Sequence, residues 1–286
     1  MKKLFTKISG MILAVVCLFS MTACSESLLI GKEFTPATSQ LDALSKLDKG
    51  EADVAVIDSV MAGYYTSTGE YASKMQIIEG LVLAEEKYGI AAKKGNEALI
   101  SKINEALIAI RTSDYAAVAN KYGLNSSIAL TAESTNPKAT ATDGSWDAVV
   151  SSGKLVIGYT LFAPIAFEQD STLQGFDIEL AEKVVAWLNA QYSVNITLEF
   201  ELIEWSTKEA KLEDGTLDLV WNGMTITPER EAGMCISIPY LYNKQVAVIL
   251  KKDAGKFTDK DSMKNAIMTA EKGSAGETVI VGAKEE

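Results

Sequence analysis

Apolar residues recur along this chain with two periods, and the periods alternate. Phe176, Leu180, Val184 and Leu188 fall four apart, with Ala181 and Val185 beside them, which predicts a helix. Leu99, Ile103, Ala106, Leu107 and Ile110 predict a second amphipathic helix, opened by Gly95-Asn96 and a Glu. Ile196, Leu198, Phe200 and Leu202 alternate as a strand does, and Leu155-Val-Ile reads as a short strand. Strands alternating with helices predict an α/β fold with mainly parallel sheets. Residues 125–144, NSSIALTAESTNPKATATDG, have no period and are rich in Ser, Thr, Ala and Asn. They read as a linker whose extended reach is at most roughly 70 Å.

One unit occurs twice. LDKGEADVAVIDSVM, from Leu47, and LEDGTLDLVWNGM, from Leu212, both read Leu-x-x-Gly-x-x-Asp, then an apolar strand, then a polar residue, Asp58 or Asn222. Leu41, Leu44 and Leu47 form a helical stripe that ends at Gly50, and Ala210 and Leu212 lead more weakly to Gly215. Two similar α/β lobes produce such an echo; so does the commonness of the helix-glycine-strand unit by itself.

WNGMTITPER, Trp221 to Arg230, adds chemistry. Thr227 suits an N-cap and Pro228 the first helical position, so a helix starts here. Arg230 then opposes the helix dipole in the first turn, by about 0.3–1 kcal/mol, unless an anion is shared between the guanidinium and the free N–H groups. That points to an anion site.

The N-terminus differs from the rest. Lys2, Lys3 and Lys7 precede the apolar run MILAVVCLF, and SMTAC follows, the layout of a secretory signal peptide covering residues 1–23. Met-Thr-Ala-Cys resembles a bacterial lipobox, which makes Cys24 the lipidated first residue of the mature chain; plain cleavage near Ala23 is the alternative. Removing residues 1–23 takes away three lysines and moves the formal charge from −11 to −14, so nucleic acid is not an expected partner. With Cys17 removed and Cys24 lipidated, the only free cysteine left is Cys235, read as a small core residue, so no disulfide framework is available. The chain has no histidine, which excludes His-based triads and most zinc sites. No metal and no cofactor are expected.

A resemblance joins these pieces. Residues 153–252, with KLVIGYTLFAPIAFE, GFDIELAEKVV, EWSTKEAKLEDGTLDLVWNGMTITPER and IPYLYNKQVAVILKK, resemble the first half of a bacterial extracellular solute-binding protein of the polar amino acid ABC-transporter family. Residues 38–124, with TSQLDALSKLDKGEADVAVIDSVMAGYY, EEKYGIAAKKGNEALISKINEAL and DYAAVANKYG, resemble the second half. The order is reversed, so the chain looks circularly permuted, with 125–144 joining the family's usual termini. The resemblance implies a two-lobed, type II periplasmic-binding-protein-like fold with two hinge crossings, YGIAAKK and VAVILKK. Residues 34–84 plus 247–286 then form a discontinuous lobe, 85–246 a continuous one, and 24–33 a tether. A monomer is expected; a domain-swapped pair is the alternative.

The resemblance also implies a ligand site for an L-amino acid. By it, Arg230 holds the ligand carboxylate with the Thr225 N–H. Asp58 takes the ammonium with the Thr225 hydroxyl and the Gly223 carbonyl, unless it merely caps a helix from Ser59. Ser274 and Ala275, in Gly273-Ser-Ala-Gly, offer backbone N–H groups to the carboxylate. Phe162 and Trp205 stack on the ligand side chain, each with a core role as alternative. The family often has an aspartate before that Phe, where this chain reads Tyr159-Thr160-Leu161, so a basic ligand side chain is less well served. The implied function is capture of a polar amino acid by hinge closure and delivery to a membrane permease, outside the cytoplasm, with the lipid as the only membrane contact. A cyclic-acid dehydratase on the same scaffold and a ligand-sensing lipoprotein without a transporter are the competing readings.

Overall fold

The computed structural model describes residues 29–68 and 71–282. The segment expected to be a signal peptide, Cys24 and the last four residues lie outside the described residues. In chain order the elements are β1 (Glu33–Ala37), α1 (Gln40–Lys49), β2 (Val54–Asp58), α2 (Ser59–Ser67), β3 (Met75–Lys93), α3 (Glu97–Ile110), α4 (Asp114–Lys121), α5 (Ser145–Ser152), β4 (Lys154–Tyr159), β5 (Phe167–Gln169), β6 (Thr172–Gln174), α6 (Phe176–Tyr192), β7 (Thr197–Leu202), α7 (Lys208–Glu213), β8 (Leu219–Thr225), α8 (Pro228–Gly233), β9 (Met234–Ile236), β10 (Leu241–Leu250), β11 (Ile267–Glu271) and α9 (Ala275–Val281).

The architecture is α/β. One sheet runs in the order β1-β11-β2-β10-β3-β8-β4-β7, with β9 beside β3. Parallel pairs lie towards both ends, β1·β11·β2 on one side and β7·β4·β8 on the other. The antiparallel pairs of this sheet all involve β3 or β10, the two long strands through its middle. Buried side chains follow the same division. One set of cores is drawn from residues between Tyr88 and Leu241, with Met61 added from α2. Another is drawn from Ile30 to Ile78 together with Val246 to Ile280. The pairing of β3 with β10 shifts register on both sides of Val246, near the middle of their contact.

Local sequence explains the elements. Ser39 caps α1 by accepting from Asp42 N at 3.0 Å, and Gly50 ends it at φ 75°, a conformation a side chain resists. Thr227 caps α8 with Pro228 first in the helix, as the sequence predicts. The two Leu-x-x-Gly-x-x-Asp units perform one task twice. Asp53 N donates to Ile267 O (2.8 Å) while its carboxylate accepts from Ile267 N (2.9 Å). Asp218 N donates to Val156 O (3.0 Å) and its carboxylate accepts from Val156 N (2.8 Å). Each aspartate thereby pins the start of the parallel neighbour, β11 or β4. The echo in sequence is an echo in structure.

Two expectations need correction. Residues 125–144 are not a free tether between elements, because Ala129 and Leu130 are buried and Asn136 donates to Ser101 O at 2.9 Å. Asp143 and Ser145 accept from Ala98 N (2.7 Å) and Leu99 N (2.9 Å), so this segment supplies the cap of α3 that Asn96 does not. Of the segment expected as a tether, the described part is hydrogen-bonded to the fold through its backbone, although Leu29 is exposed. Ile30 is buried, and Leu29 N donates to Ile280 O at 2.8 Å. Cys235 is buried on β9, and burial pushes its thiol up to about 11.

Candidate functional site

All eight residues that the sequence puts forward for ligand binding line one cavity. Asp58, Phe162, Trp205, Gly223, Thr225, Arg230, Ser274 and Ala275 meet there, joined by Gln40, Thr160, Asn222 and Glu271. The cavity sits beyond the ends of β2, β4, β8 and β11 and has room for about one water centre, ≈ 10 Å³. Thr225, Arg230 and Ala275 also line a larger groove of ≈ 570 Å³ beside it. The position matches the rule that α/β sheets bind ligands past the carboxyl ends of their strands.

On β8, Gly223 adopts φ 62°, and a Cβ there would stand 2.6 Å from Phe162 Cε1 and 3.0 Å from Tyr88 Cε2. Only glycine fits both constraints. Its N–H is used in the interior, donating to Asp177 Oδ2 (2.8 Å), which also accepts from the Tyr240 hydroxyl (2.7 Å). Burial pushes the Asp177 carboxyl up to about 7. Beside Gly223, the Asn222 side chain is hydrogen-bonded to the Thr160 hydroxyl at 2.7 Å.

Arg230 is the cationic side. Its Nη1 donates to Thr225 O at 2.8 Å and its Nη2 to Gly273 O at 3.1 Å. Trp205 lies alongside, its ring centroid 6.0 Å from the guanidinium carbon and 4.8 Å from Lys208 Nζ. Lys208 is fully buried, reaches Trp205 O (3.3 Å), Gly273 O (3.4 Å) and Glu209 (2.8 Å), and is shifted down by burial and then by the charge of Arg230. Two cations thus approach the Gly273 carbonyl, which opens the turn before α9. Ser274 caps α9 by accepting from Glu277 N at 3.2 Å, and Ala275 stands in its first turn, where N–H groups lack intrahelical acceptors.

The acidic side has two buried carboxyls in the cavity. Asp58 stands at the N-cap position of α2 without making a cap bond, so the capping alternative does not hold. Its carboxylate accepts instead from Gln40 Nε2, Asn243 Nδ2, Tyr88 Oη (2.7 Å) and Gln245 Nε2 (2.9 Å). Asn243 and Gln245 also donate to Glu86, at 2.8 and 3.0 Å. Burial, and after it the Glu86 charge, raise Asp58 to about 7. Glu271 ends β11, is 4% exposed, and has an oxygen with no hydrogen-bond partner among the described residues. Burial raises it to about 8. Such a site can hold one anionic and one cationic group at once, a few residues apart.

Sequence reading missed Gln40, Thr160 and Glu271 and undervalued Asn222. Gln40 and Thr160 carry no local signal. Glu271 did carry one: IMTAE closes an apolar strand on a carboxylate, as VAVID does.

Residues 155–273 match the family model of bacterial extracellular solute-binding proteins, family 3. A probable amino-acid-binding protein of Bacillus subtilis, YxeM, is 29% identical over 111 residues, 39% of each chain. The L-cystine-binding protein TcyJ of Escherichia coli is 28% identical over 129 residues, 44% of this chain and 46% of that one. The virulence sensor protein BvgS of Bordetella pertussis is 24% identical over 246 residues, 85% of this chain and 19% of the sensor. The chain thus spans under half the length of these relatives. A solved substrate-binding protein of an ABC uptake transporter from Streptococcus pneumoniae, with bound histidine, is 36% identical over 31% of this chain and 34% of that one, at a TM-score of 0.27. The similarity to bacterial extracellular solute-binding proteins, family 3, thus covers residues 155–273 of the chain.

Proposed function

We propose that this protein captures a polar L-amino acid between two lobes and presents it to the permease of an ABC importer. One lobe comprises residues 85–246, and the other 34–84 with 247–286. The reading is carried by the convergence of Arg230 and Trp205 from the first with Asp58, Ser274 and Ala275 from the second on a single cavity. Arg230 pairs with the ligand carboxylate, aided by backbone N–H groups at Thr225 and Ala275. Asp58 takes the ammonium, its geometry fixed by Gln40 and Tyr88. Phe162 and Trp205 wall the side chain. Closure is a hinge motion about β3 and β10, driven by a ligand that contacts both sides at once.

The chain order is that of a circularly permuted member, a reading supported by the adjacency of the two ends: β1 pairs with β11, and Leu29 bonds to Ile280. Export, lipid attachment at Cys24 and a monomeric state complete the proposal. Among the described residues no helix is long and apolar enough to cross a membrane.

The raised carboxyls favour one other reading. Values of about 7 and 8 suit acid–base work at neutral pH, so an enzyme releasing water from a cyclic acid is the competitor. A thermal-shift screen against the standard L-amino acids, cystine and a prephenate-like acid separates the two. Ligand at about 100 times its Kd adds about 2.7 kcal/mol to the native state. A selective shift by one or a few amino acids, without turnover of the cyclic acid, is the expected result. Turnover, or no shift by any amino acid, would defeat the proposal.

A further inference from the structure

Glu271 is a buried carboxylate that the fold does not use. Asp58, one strand away, has four side-chain donors; the Glu271 carboxylate has no hydrogen bond or ion pair among the described residues, and one of its oxygens is buried without a partner. Leaving such a group without a partner is costly. The charged groups that act on it are Asp58 on β2, Lys208 on α7 and Arg230 on α8. Neither cation satisfies it. Lys208 is engaged with Glu209 and two carbonyls, and Arg230 with Thr225 O and Gly273 O.

The internal repeat fixes what position this is. Asp53 pins Ile267 as Asp218 pins Val156, so Glu271, four residues beyond Ile267, corresponds to Thr160, four beyond Val156. Both line the cavity from opposite halves. Thr160 is satisfied by Asn222 and uncharged, so the first half provides no acid there. Glu271 provides one from the other half. With Asp58, Arg230 and also Glu271 ionised, as pairing with a cation would favour, the lining carries one negative charge more than positive. A neutral zwitterion leaves that charge uncompensated.

Building on the amino-acid reading, we propose that Glu271 selects the ligand side chain and that the ligand is a dibasic amino acid whose terminal cation pairs with it. The absence of an acid before Phe162 is thereby offset from across the cleft.

Titration calorimetry on the purified protein with L-arginine, L-lysine, L-ornithine, L-glutamine and L-cystine tests this, run in parallel on Glu271→Gln. The wild type is expected to bind one of the dibasic acids at least about tenfold more tightly than glutamine or cystine. Glu271→Gln is expected to erase that preference while melting at the same temperature or higher, because a buried acid without a partner has been removed. Asp→Asn exchange at an exposed carboxylate such as Asp261 should leave the preference intact. Binding of neutral amino acids only, or a dibasic preference that survives in Glu271→Gln, overturns the inference and leaves the amino-acid reading standing. Binding of none of the five, where the thermal-shift screen is also blank, overturns both.

Discussion

Asp58 and Glu271 end neighbouring strands of one sheet, are both buried, and both titrate well above the ordinary carboxyl range, yet they are built differently. Asp58 sits in a ring of amide and phenol donors that hold its oxygens in one orientation. Such a group is a preset acceptor, ready before a ligand arrives. Glu271 has the same strand-end placement and no ring. The difference separates a carboxylate held by the protein from one whose side chain has no partner among the described residues.

The largest expected effect comes from emptying the ring. Asp58→Ala leaves the donors of Gln40, Tyr88, Asn243 and Gln245 facing one another, and should cost about 3 kcal/mol of stability in urea denaturation and abolish amino-acid binding. A loss below about 1 kcal/mol would mean the ring is not organised around Asp58. Next is Arg230→Lys, which keeps the charge but not the forked donor. It should weaken amino-acid binding by about 100-fold with little change in melting temperature. Glu271→Gln is the mirror of Asp58→Ala: removing the unpartnered acid should stabilise the unliganded protein by about 1 kcal/mol. If it destabilises instead, Glu271 has a structural partner and the contrast collapses.

Titration sharpens the same comparison. Asp58 rises from 3.8 to about 7, Asp177 from 3.8 to about 7, and Glu271 from 4.5 to about 8. Over that interval the native state binds more protons than the unfolded chain, so stability is fully present below about pH 4 and falls as pH rises towards 8. The melting temperature of the unliganded protein is therefore expected to be higher at pH 5 than at pH 8. Glu271→Gln should flatten the upper part of that slope. An unchanged slope in the variant would assign it to the two aspartates alone.

Much of this was legible in the sequence because its causes are local. The stripe from Phe176 to Leu188 gave α6, Gly50 ended α1, and Thr227-Pro228 opened α8 with Arg230 in the position that raised the anion question. The repeated Leu-x-x-Gly-x-x-Asp was visible, but not that its aspartate pins a parallel neighbour, since Ile267 lies far along the chain from Asp53. Long range also hid the ring around Asp58: Gln40, Tyr88, Asn243 and Gln245 come from three separate segments. The 125–144 segment misled because composition describes flexibility in isolation, whereas Asn136 and Asp143 find partners on α3. Trp205 was read as a wall for the ligand, and its position beside both Arg230 and Lys208 emerged only from the fold.

The central claim is that a ligand carboxylate completes Arg230. It is tested most directly by comparing, in calorimetry, the amino acid that binds best with its α-carboxamide, on wild type and on Arg230→Ala. The account predicts that the amide binds the wild type about 100-fold more weakly than the acid, and that this penalty nearly vanishes in Arg230→Ala. Equal binding of acid and amide to the wild type, or a penalty of the same size in the variant, would contradict it.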